Sequence, residues 1–137
     1  MILNLSDMKA ICKHNTGDFL KKDELPMGFF SSSIFNLEID KEYLVMGIML
    51  SEKFIFYLVD ESGMPYWYLS KLFQVSDNRI SPNWYFKNFI EDDNIYIDAI
   101  WGYSELCNEE DYSDQLMDRD DSAMRIYFKR KIEAEIE

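Results

Sequence analysis

The sequence predicts an α+β domain, a small and strongly twisted antiparallel β-barrel or half-barrel followed by a C-terminal α-helix. Three observations carry this. Short apolar runs from Glu42 to Asp77 are separated by tight-turn residues. A glycine, Gly47, sits in the middle of the longest run, where it marks a bend or bulge. From about Glu109 to Glu135 the apolar spacing changes from alternation to helical periodicity.

The chain has 137 residues, enough for one domain spanning 1–137. No repeat or low-complexity linker divides it. Met8, Ala10 and Cys12 alternate with Lys9, Ile11 and Lys13, as in an edge strand whose lysines discourage pairing by other chains. His14–Asp18 is a turn built on Gly17, and Phe19–Phe35 is an irregular segment broken by Pro26 and Gly28. Asp40-Lys41 forms a turn. Glu42–Leu50 is apolar on both alternating faces, which implies cover on both sides. Ser51-Glu52-Lys53 connects it to a return strand, Phe54–Val59. Asp60–Gly63 turns again, with Gly63 free to take positive φ. Tyr66–Tyr68 and Leu72–Val75 are two shorter strands. Bending so many short strands removes exposed edges, hence the barrel.

Ser76–Asn83 is a polar loop, Trp84-Tyr85-Phe86 an aromatic anchor and Glu91–Asn94 an acidic turn. Ile95–Trp101 alternates as a strand, with Ile95, Ile97 and Ala99 toward the core. Leu116, Met117, Met124, Tyr127, Phe128 and Ile132 gather on one helical stripe. A break near Asp118–Asp121 would divide this helix in two.

Charge bounds the partners. Twenty-six acidic residues against 14 basic ones give −12, which argues against nucleic acid or an anionic membrane surface and favours a basic partner. The plainer reading of the same charge is solubility. No apolar stretch approaches the roughly 20 residues of a membrane helix, and no basic-then-apolar leader is visible, so the chain reads as cytoplasmic. The two cysteines, Cys12 and Cys107, fit no metal spacing; they are a disulfide or, in the cytoplasm, two reduced thiols.

The chemistry-bearing motifs are thin. The single histidine, His14, lies two residues from Cys12, a weak signal for a small hydrolase. Phosphate-loop, dinucleotide and zinc-protease patterns are missing from the sequence. Asp111–Asp121 resembles a calcium loop in composition alone, since it has neither the central glycine nor the terminal glutamate. No catalytic, cofactor or metal residue is therefore assigned. Clustering is the stronger feature. Between Glu105 and Asp121 stand eight acids and one base, Arg119. Candidate partner-binding residues are Glu109, Glu110, Asp111, Asp114 and Asp118, with the turn acids Asp60, Glu61, Glu91, Asp92 and Asp93. Tyr66, Trp67, Trp84, Trp101, Tyr103 and Tyr112 are the candidate aromatic anchors, Tyr103 and Tyr112 foremost. A solvated, dipole-favoured helix start explains the same acids, and core packing the same aromatics.

The run Glu42-Tyr43-x-Val45-x-Gly47-Ile48 is followed by Phe56-Tyr57-Leu58-Val59-Asp60-Glu61-x-Gly63-x-Pro65-x-Trp67. Further on come Leu72-Phe73-x-Val75-x-Asp77, Pro82-x-Trp84 and Ala99-Ile100-Trp101-Gly102-Tyr103. This series resembles a group of small acidic bacterial immunity proteins from polymorphic toxin and contact-dependent inhibition systems. The resemblance runs from Glu42 to the C-terminus. It implies an SH3-like barrel and a non-enzymatic protein that binds and neutralises a cognate toxin domain, often a nuclease with a basic cleft. It carries no catalytic pattern. The rival expectation is an SH3-like peptide-binding adaptor, which requires a solvent-exposed row at Tyr66, Trp67 and Tyr68.

Overall fold

The computed structural model describes residues 7–26, 28–89 and 96–135. Eight strands and three helices follow in the order β1 (Lys9–Cys12), β2 (Glu42–Leu44), β3 (Gly47–Ser51), β4 (Phe54–Glu61), β5 (Met64–Leu69), β6 (Phe73–Asp77), β7 (Tyr85–Asn88), β8 (Ala99–Gly102), α1 (Ser104–Asn108), α2 (Tyr112–Met117) and α3 (Asp121–Glu135). All pairings are antiparallel. They form a three-stranded sheet, β2-β1-β6, and a five-stranded sheet, β5-β4-β3-β8-β7.

The apolar run at Glu42–Leu50 does bend, and the bend moves the chain from one sheet to the other. It divides into β2 and β3 around Val45 and Met46, both buried. Val45 N–H donates to Met8 O at 2.9 Å in the small sheet; Met46 N–H donates to Leu58 O at 2.8 Å in the large one. A second crossing follows β5, through the 3-10 turn Ser70–Leu72 into β6. Of the expected barrel or half-barrel, the closed form is corrected here, within an α+β fold as expected: two open antiparallel sheets share these crossings. At the β5 edge, Pro65 has no N–H to offer and its carbonyl takes the Arg119 guanidinium, so a further strand cannot pair there in register. The expected edge strand at Lys9–Cys12 is likewise corrected, since β1 is the central strand of the small sheet.

The β4–β5 hairpin shows how local chemistry fixes register. Its two turn residues, Ser62 and Gly63, both have positive φ, at 54° and 78°, and the closing pair is Glu61↔Met64. Positive φ at both centres matches the right-handed twist of the flanking strands.

The large sheet presents Gly47, Leu58, Trp67, Ile100 and Gly102 to the helices. Gly47 and Gly102 lie opposite each other in the β3–β8 register, and Leu106 of α1 occupies the space their absent side chains leave. A Cβ on Gly102 would stand 2.6 Å from Leu106 Cδ1 and 3.2 Å from Met46 O. Ile100, not Trp101, therefore points to the helix side. Ala99 is buried on the opposite face, Ile97 is half-buried against the core, and Ile95 lies outside the described residues. The 19–35 segment is irregular as expected. Within its described part it holds one 3-10 turn, Lys22–Glu24, and a bridge from Thr16 to Ile34.

The C-terminal region is three helices, the break falling at Asp118–Asp120. Arg119 takes positive φ there, 63°. The single apolar stripe expected on the last helix is corrected. Ala123 and Tyr127, four residues apart, pack into the core, whereas Ile132 is 59% exposed and Met124 and Phe128 are half-buried.

Candidate partner-binding surface

The α1–α2–α3 junction sorts its residues sharply. Tyr112 and Leu116 are four apart on α2 and almost fully buried, at 2% and 0% exposure. That spacing turns Glu109, Glu110, Asp111, Asp114 and Asp118 to solvent. Asp111 itself takes positive φ, 66°, in the turn that admits α2. Its carbonyl accepts Gln115 N–H at 2.9 Å, and Asp114 O accepts Asp118 N–H at 2.9 Å. None of these five carboxylates makes an ion pair among the described residues. Asp120 and Asp121 extend the ridge toward α3, and Asp120 Oδ2 accepts Ala123 N–H at 3.0 Å as the cap of that helix.

The one base in the segment does not offset the ridge. The Arg119 guanidinium is turned inward, onto Pro65 O and, at 3.4 Å, Leu116 O. Glu105 is neutralised from within, since Arg130 holds it by two bonds, Nε–Oε1 at 3.0 Å and Nη2–Oε2 at 2.8 Å. That fork keeps the Glu105 carboxyl below its ordinary pKa and raises Arg130 above its own.

The other sequence-predicted residues are placed differently. Asp60 and Glu61 are not turn acids facing solvent. Asp60 lies on the helix side of β4, where it accepts Tyr127 Oη at 2.7 Å and Lys131 Nζ at 2.8 and 3.1 Å. Tyr127 and Lys131, one helical turn apart, converge on it. Glu61 points the other way and is 6% exposed; it binds Tyr43 Oη, Lys41 Nζ at 3.1 Å and Ser62 Oγ at 2.9 Å. The tyrosine bond is the main cause of its lowered pKa, and burial the main cause of the raised pKa of Tyr43. Turn acids became structural because the hairpin places consecutive residues on opposite faces, and each face is covered.

Tyr103 and Tyr112 are corrected as surface anchors. They are 5% and 2% exposed, and their hydroxyls meet at 2.7 Å inside the core. Tyr112 also donates to Ala123 O at 3.0 Å, and burial pushes its pKa up to about 12. Glu91, Asp92 and Asp93 lie outside the described residues. Of the remaining aromatic candidates, Trp67 is buried, with Nε1 3.3 Å from Ser113 Oγ; Trp84 and Trp101 are half-buried and Tyr66 is 46% exposed. The internal counter-ions Lys41, Arg130 and Lys131 were missed. The four-residue spacing of Tyr127 and Lys131 was the available signal, but no sequence rule names the distant strand acid they meet.

Cys12 and His14 do not assemble as a nucleophile and base. The buried Cys12 thiol donates to the His14 carbonyl at 3.3 Å, and the exposed imidazole stacks on Phe19 at 3.7 Å. Both cysteines are free and buried. Among the described residues no group of three His, Cys, Asp or Glu side chains is placed to hold a metal ion. A cleft of about 530 Å³ opens between the Ser81–Tyr85 loop, α1 and α3. Its cation, Arg130, is already held by Glu105 and Glu133. Among the described residues no helix is long and apolar enough to cross a membrane.

Compared with protein-family models, curated proteins and solved structures, the chain matches none.

Proposed function

We propose that this chain is a non-enzymatic immunity protein acting in the cytoplasm, which binds and neutralises a basic toxin domain, of nuclease type, through the α1–α2–α3 ridge. The observation that carries the reading is the selective exposure of Glu109, Glu110, Asp111, Asp114 and Asp118 without counter-ions, beside acids that are internally paired. Five unpaired carboxylates in one segment offer the negative charge that a cleft built for phosphates attracts. They would also speed encounter with it. The strand, turn and aromatic series that resembles immunity proteins, and the SH3-like arrangement it implies, belong to the same proposal. The partner-binding set is accordingly reduced to the ridge acids.

The test is coexpression with the toxin domain encoded beside it, together with association kinetics of the purified pair. Protection from growth arrest is expected, with a rate constant that falls steeply as salt shortens the Debye length to about 8 Å and below. Replacing Glu109, Glu110, Asp114 and Asp118 by their amides should slow association at least about tenfold at low salt and leave the fold intact. A toxin bound equally well by the amide variant refutes the ridge; no protection and no binding refute the function. The adaptor reading has less support, because Trp67 and Tyr68 of its required row are 8% and 6% exposed.

A further inference from the structure

The outward side of α3 is built unlike a solvated helix face. Met124, Phe128 and Ile132 recur every four residues and form one ridge along it. Asp121, Arg125, Lys129 and Glu133 form the parallel ridge. Between them runs a shallow groove of about 720 Å³ lined by these seven residues alone. Phe128 is fixed in place from beneath, its ring edge-on to the buried Tyr127 at 5.0 Å and 81°. Ala123, Tyr127, Arg130 and Lys131 engage the body of the protein, and the half-buried Met124 and Phe128 also pack against the core, whereas Ile132 is exposed.

A ridge spaced by four beside a groove of the same pitch is the geometry by which two helices interlock, crossing at about −50°. Here ridge and groove lie side by side on one helix, so a second copy can interlock with the first through this face. Charge agrees with shape. Arg125 and Lys129 make no ion pair among the described residues, in a chain whose net charge is −12. The equally unpaired acids Asp114 and Asp118 lie on and just after α2, which packs beside α3. We propose that the chain forms a two-fold dimer, the Met124–Phe128–Ile132 ridge of each copy seated in the α3 groove of the other, with Arg125 and Lys129 facing the partner copy's Asp114 and Asp118. An interface closed by a two-fold axis meets each contact twice, so a modest patch gains from repetition. This inference does not rest on the inhibitor reading, but it takes Asp114 and Asp118 of the acidic ridge into the dimer and leaves Glu109, Glu110 and Asp111 for a basic partner.

The test is sedimentation equilibrium of the full chain across the micromolar range. A concentration-dependent dimer is expected. Ile132→Asp places a charge at an exposed site, so the fold is retained by circular dichroism. Being present twice, it weakens the dimer by about a hundredfold, about tenfold per copy. Arg125→Asp with Lys129→Asp weakens it as well, and adding Asp114→Lys and Asp118→Lys restores it. A chain that stays monomeric throughout overturns the proposal. So does a dimer indifferent to Ile132→Asp, or one the charge exchange fails to restore, since either places the interface elsewhere or assigns the face to another partner.

Discussion

Replacing Asp60 by alanine separates a structural role from a binding one. Among the described residues the carboxylate is the one acceptor of the Tyr127 hydroxyl, on a side chain that is fully buried, and it also holds Lys131. Truncation leaves the tyrosine hydroxyl desolvated and unpaired, at a cost of about 1–3 kcal/mol. Lys131 is 23% exposed and can carry its ammonium to water along a flexible stem, so its loss adds under about 1 kcal/mol. The sum is about 1–4 kcal/mol, a sizeable share of the roughly 5–15 kcal/mol that stabilises a domain. Asp60→Asn keeps an acceptor for the tyrosine and should cost about 1 kcal/mol. Urea unfolding followed by circular dichroism reads these values as shifts in midpoint at constant slope. In a Tyr127→Phe background the cost of Asp60→Ala should shrink by about 1–2 kcal/mol, because the stranded hydroxyl is gone. A cost for Asp60→Ala within about 0.5 kcal/mol of zero, or one unchanged by Tyr127→Phe, would refute the reasoning.

Two further outcomes follow from the packing and the charges. Gly102→Ala drives a methyl against Leu106 and the Met46 carbonyl and should destabilise by about 1–3 kcal/mol. In a Leu106→Ala background the same change should cost clearly less, with the Met46 carbonyl contact remaining, and an unchanged cost there would show that Leu106 is not the obstacle. Glu61 and Glu105 have folded pKa values below the ordinary 4.5. Their stabilisation is therefore complete above that value and is lost as pH falls through the lower, folded one. Urea midpoints should decline from about pH 5 to about pH 3, with a shallower decline in Glu61→Gln. Equal slopes in the two proteins would mean that Glu61 is not linked to folding.

Much of the strand series was legible, because turn chemistry and alternation act locally. Gly63, Asp40 and the break before Asp121 announced themselves through residue type alone. What was not legible depends on partners distant in sequence. Gly47 was read as a bend, yet the space for a side chain there is taken by Leu106 of α1, 59 residues further on. The Glu42–Leu50 run was read as covered on both faces; nothing local says that its halves belong to different sheets. The candidate site divided the same way. Exposure of Glu109–Asp118 follows from the Tyr112–Leu116 spacing within one short helix. The burial of Asp60 and Glu61 follows from Tyr127, Lys131, Tyr43 and Lys41, which the sequence places up to 71 residues away. Tyrosine was the least readable type, since a hydroxyl suits a surface or a satisfied core equally.

The central place of β1 also orders events in time. Its neighbours are β2, which begins 30 residues after β1 ends, and β6, which begins 61 residues after it. On a ribosome, β1 can meet its first partner early, but its second edge stays bare until the whole β3–β5 meander has emerged. Closing so long a loop costs entropy before any ladder bond repays it. The small sheet is thus completed by a strand delivered from the large one, and its lysine-bearing middle strand must wait unpaired on one side meanwhile. Lys9 and Lys13, which first read as guards of a permanent edge, stand at a temporary one.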